Sequence, residues 1–244
     1  MAGLKRFFGE NIVVGGEFEL VGEEFEHAKN VLRIGEGDEV ILLDGSGKEY
    51  TSVCSCVQKK SLVFHVLRAD EGGREPMNEI SLAFGYLKNA DKNEFIVQKA
   101  VELGVSRLIV FCSDYSSAYM NANKLERLNK VAREATKQCL RSVAPTVEFC
   151  ESFDGALSSF QNVNNKLFAC EFAKESEVDL SALSGSTAIV VGSEGGFSEE
   201  EAKRAKEAGF SFVSMGARIL RAETAAIALL SVCAFSLGEW ENQR

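Results

Sequence analysis

From Ile80 onward the chain repeats one pattern: a short run of branched and aromatic apolar residues, a turn, then a stretch with helical spacing. "ISLAFGYL", "SRLIVFCSD", "TVEFCE", "KLFACEF", "TAIVVGSEGG" and "SFVSMG" read as strands. "DKNEFIVQKAVELG" reads as a helix ending at Gly104, and further helices are expected over Asn121–Ser142, Phe153–Phe160, Ser198–Ala208 and Glu223–Gly238. Strands that alternate with helices predict a largely parallel sheet covered on both faces. The chain shows no internal repeat and no low-complexity tract.

The stretch from Leu4 to Arg68 has a different texture. "DEVILLDGSGKEYTSVCSCVQKKSLVFHVLR" reads as three strands joined by turns at Asp44–Gly47 and near Gln58–Lys60, with a short helical stretch, "EEFEHAKNVLRI", before them. A small β-rich, barrel-like module is expected here. "ADEGGREPMN", Ala69 to Asn78, is polar, holds two glycines and one of the two prolines, and reads as a linker. The domains are therefore placed at residues 1–70 and 75–244.

Composition excludes several classes. Hydrophobic residues are 45% and charged residues 26%, as in soluble globular proteins, and no apolar run reaches a membrane span. The opening residues lack the apolar core of a secretory signal, so a cytoplasmic location is expected. Seven cysteines without a C-x-x-C pair, and only two histidines, speak for reduced thiols and against a structural zinc site; no metal is expected. Cys54 and Cys56, on one face of a strand, read as packing residues, and His27 and His65 as structural. The net charge of −9 argues against nucleic acid on average, although a local patch escapes an average.

The chemistry concentrates in "VVGSEGGFSEEEAKRAKEAG", Val190 to Gly209: a buried strand, a glycine-rich turn, a helix. Such turns commonly hold phosphate at the helix N-terminus. Here Ser198 and Glu201 form a capping box, and Glu194, Glu199, Glu200 and Glu201 crowd the place where an anion would dock. Neither G-K-[ST] nor G-x-G-x-x-G is present. The expected ligand is uncharged or cationic and carries hydroxyls or amines, as S-adenosylmethionine does. A tight turn with a solubilising helix face satisfies the same text. A second stretch, "SMGARILRAETAAIALL", places an apolar loop between a buried strand and an apolar helix. An adenine ring on Ile219 and Leu220 would satisfy its backbone groups, and protein atoms would do so equally well.

Together "GSEGGFSEEE" and "MGARILRAETAAIALL" resemble the two signature loops of the SPOUT class of methyltransferases. More closely they resemble the RsmE family, which methylates N3 of a uridine in 16S ribosomal RNA of the small subunit. "KRFF", "HAKNVLRIGEGDEVILLDGSGKEY", "DKNEFIVQKAVELGV" and "REATKQCLR" lie where that family has similar text, so the likeness covers nearly the whole chain. It implies a PUA-like β-barrel followed by an α/β SPOUT-type parallel sheet with a C-terminal trefoil knot, usually in a homodimer. It also implies S-adenosylmethionine as methyl donor, held by Val191, Gly192, Glu194, Gly195, Gly196, Met215, Gly216, Ile219, Leu220, Arg221 and Thr224. Where the family usually has proline, this chain has Ser193 and Ala217; it has Ala222 for threonine and Cys139-Leu140 for Ser-Gly.

A uridine substrate needs cations. At about 100° per residue, Arg127, Lys130, Arg133, Lys137 and Arg141 share one side of the expected helix, with Leu125, Leu128, Val131, Ala135 and Cys139 opposite. This stripe reads as an RNA-binding face, or else as an ordinary solvated one. Lys5 and Arg6, beside Phe7 and Phe8, make a second patch, and Arg33 is counted with it. Methylation at N3 requires loss of the N3 proton, so a cation near the uracil oxygens is expected to stabilise the developing anion: Arg221 first, Arg218 second. Arg221 has a structural alternative, a salt bridge to Glu194 or Glu223. Two other functions remain open on the residues alone: a nucleotide-dependent oxidoreductase, which the acidic helix start disfavours, and a non-catalytic RNA-binding or ribosome-assembly factor on the same fold.

Overall fold

The computed structural model describes residues 4–116, 119–173 and 175–241. The chain makes two compact units, one from the residues up to Glu75 together with Thr136–Ala144, the other from Pro76–Ala135 together with Pro145 onward.

The first unit is a five-stranded sheet. Its strands are β1 (Lys5–Phe8), β2 (Glu17–Val21), β3 (Glu39–Leu43), β4 (Lys48–Val57) and β5 (Ser61–Glu71), in the order β1-β3-β4-β5-β2. β1 runs parallel to β3, and the other pairs are antiparallel. Phe7, Leu20, Phe25, Val40, Leu42, Leu62 and Phe64 fill its core. The β3–β4 turn falls at Asp44–Gly47. Asp44 Oδ1 accepts from the Ser46 amide at 2.9 Å, and Gly45 and Gly47 take φ of 80° and 94°. A bulge at Ser55 shifts the β4–β5 register, so Cys54 is buried and Cys56 only half-buried. β5 runs on to Glu71, three residues into the expected linker. The short helical stretch is α1 (Gly22–Glu26) continued by one turn of π-helix, His27–Val31.

The second unit is built on six parallel strands: β6 (Ile80–Gly85), β7 (Arg107–Phe111), β8 (Thr146–Cys150), β9 (Asn165–Ala169), β10 (Thr187–Val191) and β11 (Ser211–Val213), ordered β11-β9-β10-β6-β7-β8. Every residue of the central strands β6 and β10 is buried, as a sheet covered on both faces demands. The helices are α2 (Ala90–Glu102), α3 (Ala122–Gln138), α4 (Phe153–Ser158), α5 (Glu199–Glu207) and α6 (Ala222–Ser236). Each has the expected place and slightly shorter bounds. α3 stops well before Ser142 because Leu140 turns left-handed (φ 65°) and the Arg141 amide closes on the Thr136 carbonyl at 3.0 Å. That conformation is the one glycine adopts freely.

α6 departs from expectation in a second way. Its apolar character predicted full burial. Ala225, Ala226, Leu229, Leu230, Cys233 and Ala234 are buried, but Val232 and Phe235 stay 43% and 67% exposed, and Trp240 beyond the helix 58%. One side packs inward, and on the other Val232 and Phe235 are left uncovered by the described residues. No helix among the described residues is long and apolar enough to cross a membrane.

Candidate functional site

The glycine turn leaves β10 at Val191 and folds back at once. The Gly196 amide donates to the Ser193 carbonyl at 3.0 Å, and Gly196 takes φ 68°. The turn is pinned from below by Phe197, whose ring lies 4.2 Å from that of Phe168 and 5.4 Å from that of Phe153. It is pinned from the front by Glu201, which is fully buried. Glu201 Oε2 accepts from the Ser198 amide and Oε1 from the Asp114 amide, both at 2.9 Å. The capping box is complete, with Ser198 Oγ accepting from the Glu201 amide at 3.1 Å. Gly85, at the end of β6, must be glycine because a Cβ there would lie 2.5 Å from the Ser193 nitrogen.

The second loop leaves β11 through Met215 and Gly216 (φ 88°) and enters α6 at Arg221, whose backbone forms the N-cap. This loop is not covered by its own chain: Ile219 is 93% exposed and Leu220 half-buried. Of the two covers the sequence left open, an adenine ring or protein atoms, the described residues do not supply the second for Ile219.

Both loops border one cavity of about 790 Å³. Val191, Gly192, Glu194, Gly196, Met215, Gly216, Ile219, Leu220, Arg221 and Arg218 all line it. Gly195 and Thr224 do not. Gly195 turns the other way, where a Cβ would lie 2.6 Å from Tyr115 Cβ, and Thr224 is exposed on the first turn of α6. The carboxylates at the start of α5 do not line the cavity either, so the crowd of four read from the sequence reduces to Glu194. Glu171 and Glu223 join it from elsewhere in the chain. Glu194 Oε1 accepts from the Lys88 amide at 3.0 Å, and Lys92 Nζ pairs with Glu223 Oε1 at 2.9 Å. Burial pushes the Glu223 carboxyl up, but the Lys92 ammonium, its own backbone and Arg221 together bring it below the usual carboxylate range. The expected salt bridge from Arg221 to Glu194 or Glu223 does not form. Arg218 and Arg221 make no hydrogen bond or ion pair among the described residues.

This arrangement has known counterparts. The description "RNA methyltransferase domain" matches residues 74–234, and "RNA methyltransferase PUA domain" matches residues 20–67. The chain belongs to the RNA methyltransferase family. Ribosomal RNA small subunit methyltransferase E of Bacillus subtilis is 33% identical over 231 residues, covering 89% of this chain and 90% of that one. The protein of the same name from Neisseria gonorrhoeae, solved with bound S-adenosyl methionine, superposes with a TM-score of 0.86 at 30% identity, covering 96% of this chain and 98% of that one. A putative methyltransferase from Legionella pneumophila, solved with bound cofactor SAM, gives 0.87 at 28% identity, with the same two coverages. The fold is thus the SPOUT-type parallel sheet with a PUA-like module at the N-terminal end.

The expected RNA-binding cations are scattered by the structure. Arg6 is held bidentate by Glu49 at 2.8 and 3.0 Å, and its side chain is 8% exposed. Lys137 pairs with Glu24 and is 9% exposed. Arg141 lies beyond the end of α3, pairs with Glu75 at 2.8 Å and is 5% exposed. These three belong to the first unit's own polar network, so Lys137 and Arg141 do not continue an exposed basic stripe along α3. Arg127 is exposed but engaged by Glu94. Lys5, Arg33 and Arg133 are exposed. On the opposite face Leu128 and Ala135 are buried as expected, while Leu125, Val131 and Cys139 are half-buried.

Sequence reading missed Gly85, Lys92, Glu171 and Phe197, and named Glu223 only as an alternative partner of Arg221. A lone glycine inside a strand pattern flags a close backbone approach and was the one available signal, at Gly85. The others lie far apart in sequence and meet only through the strand order.

Proposed function

We propose that the chain transfers a methyl group from S-adenosylmethionine to N3 of a uridine in 16S ribosomal RNA. The observation that carries this is the convergence of two glycine-bearing loops on one cavity that offers two arginines without a hydrogen bond or ion pair among the described residues, beside an α5 start closed by its own capping box. The residues fit the donor. The volume lies within the range of small-ligand sites, roughly 300–1,000 Å³. The exposed apolar Ile219 and Leu220 suit an adenine, and the carboxylates Glu171 and Glu194 suit hydroxyls or an ammonium. The sealed α5 start disfavours phosphates. When bound, the donor supplies an electrophilic methyl on sulfur. N3 of the uracil gives its proton to solvent, the lone pair left on N3 forms the new N–C bond to the methyl, and the electrons of the broken C–S bond stay on the leaving sulfur. Arg221, aided by Arg218, is read as stabilising the uracil oxygens as that negative charge develops.

Four further points belong to the same reading. Residues 1–70 act as a PUA-like RNA-binding module and 75–244 as the transferase domain. The loops at 192–196 and 215–221 are threaded as a trefoil knot. Lys5, Arg33 and Arg133 are the exposed cations offered to RNA in the cytoplasm. Two chains pair as a homodimer, which supplies a cover for the apolar side of α6. The decisive experiment is mass spectrometry of ribosomal RNA from cells lacking this protein: 3-methyluridine should disappear, and its persistence would leave the assembly-factor reading in possession. Calorimetry should show S-adenosylhomocysteine binding where ATP and NAD do not.

A further inference from the structure

Of the three carboxylates lining the cavity, one has no hydrogen bond or ion pair among the described residues. Glu194 is taken by the Lys88 amide and Glu223 by Lys92. Glu171 lines the cavity, is exposed, and makes no hydrogen bond or ion pair among the described residues. Its place is set by topology. It follows β9, the strand that lies between β10 and β11, so it stands between the two loops those strands emit. Its carboxylate also rests against the glycine turn: a Cβ on Gly196 would lie 2.7 Å from Glu171 Oε1. Gly196 therefore answers two demands, a φ of 68° and room for that carboxylate.

We propose that Glu171 holds the ribose of the methyl donor, its two oxygens accepting hydrogen bonds from the vicinal 2′- and 3′-hydroxyls. The inference rests on the donor-site reading above. S-adenosylmethionine is a linear arrangement of adenine, ribose, sulfonium and amino-acid end. With adenine on the apolar loop after β11, the middle of the molecule falls at the end of the middle strand. The ribose offers two adjacent neutral donors, which a carboxylate accepts without any change in net charge on the sugar. An ionised acceptor makes these bonds shorter and stronger than neutral ones. The same carboxylate repels a ribose that carries phosphate on those positions, which adds to the selectivity set by the sealed start of α5.

The test is equilibrium binding of S-adenosylhomocysteine and of its 2′-deoxyribose counterpart to the full chain, wild type and Glu171→Gln. The wild type should prefer the ribose form. Glu171→Gln should weaken S-adenosylhomocysteine roughly 10- to 100-fold, the usual consequence of losing hydrogen bonds to a charged group, and should no longer distinguish the two ligands. Because Glu171 is exposed and unbonded, the free variant should melt with the wild type, so a binding loss is not a folding loss. A variant that keeps the wild-type preference overturns the proposal. So does unchanged affinity with slower single-turnover methylation, which makes Glu171 a proton acceptor instead. Failure of the wild type to bind S-adenosylhomocysteine at all overturns the donor-site reading itself.

Discussion

Arg221 enters the cavity from the N-cap of α6 with no carboxylate holding its guanidinium, so its two possible roles separate in an experiment. A residue that stabilises the uracil anion contributes to the rate and little to donor affinity. Arg221→Ala should slow single-turnover methylation by ~100- to 1000-fold, the usual cost of one preorganised donor. S-adenosylhomocysteine affinity should change little. Lysine should restore only part, because a point charge replaces a planar fork. The defect should shrink as pH rises, since solvent then assists removal of the N3 proton. A parallel loss of binding and rate across pH would make Arg221 a loop-shaping residue. Arg221 was legible in the sequence because it lies in a contiguous motif, and it lines the cavity. Gly195 instead packs toward Tyr115 and does not line the cavity, and nothing in "GSEGG" tells the two kinds of glycine apart.

At the scale of elements, two joints decide whether the site keeps its shape. The first is the start of α5. Glu201→Ala leaves the Ser198 and Asp114 amides without their acceptor, and about 2 kcal/mol of stability should be lost in a denaturant titration. Donor affinity should fall with it, since the glycine turn loses its anchor. The second joint is the Lys92–Glu223 pair between α2 and α6, with side chains 27% and 16% exposed. Glu223 is held below its usual value of 4.5, so the pair stabilises the fold above that pH and the contribution is lost as pH falls through the lowered value. Lys92→Met should therefore cost about 1 kcal/mol at neutral pH. In melting curves the gap from wild type should narrow as pH falls below 4.5 and close only once pH has passed the lowered value, where Glu223 is neutral in both proteins. A gap that stays constant down to the acid limit would show that Lys92 acts by packing alone.

For the whole molecule, the unburied side of α6 makes association the natural expectation. Phe235 and Trp240 meet edge-to-face with centroids 5.7 Å apart, and both remain largely exposed. An exposed aromatic pair of this kind at the C-terminal end of an apolar helix loses solvent contact when a second chain docks. Phe235→Glu should convert a dimer to a monomer in sedimentation velocity while leaving the monomer folded, because the buried side of α6 is untouched. A wild-type chain that sediments as a monomer at micromolar concentration would remove the homodimer from the proposed function.

The sequence by itself determined the elements and the two loops. Alternating β-branched runs and helical periods, the capping box at Ser198 and Glu201, and the glycines after β10 and β11 are local signals, each readable within about one turn or strand. The strand order was decided only in three dimensions. Sequence proximity does not say that β9 lies between β10 and β11, yet that order places Glu171 between the loops. The fate of the charges was decided there too. A helical wheel put Arg127, Lys137 and Arg141 on one face, but their partners Glu94, Glu24 and Glu75 come from distant parts of the chain, and α3 ends before Arg141. Periodicity fixes which way a side chain leaves a helix. Whether a carboxylate waits for it depends on contacts between residues far apart in sequence, and no local pattern encodes those.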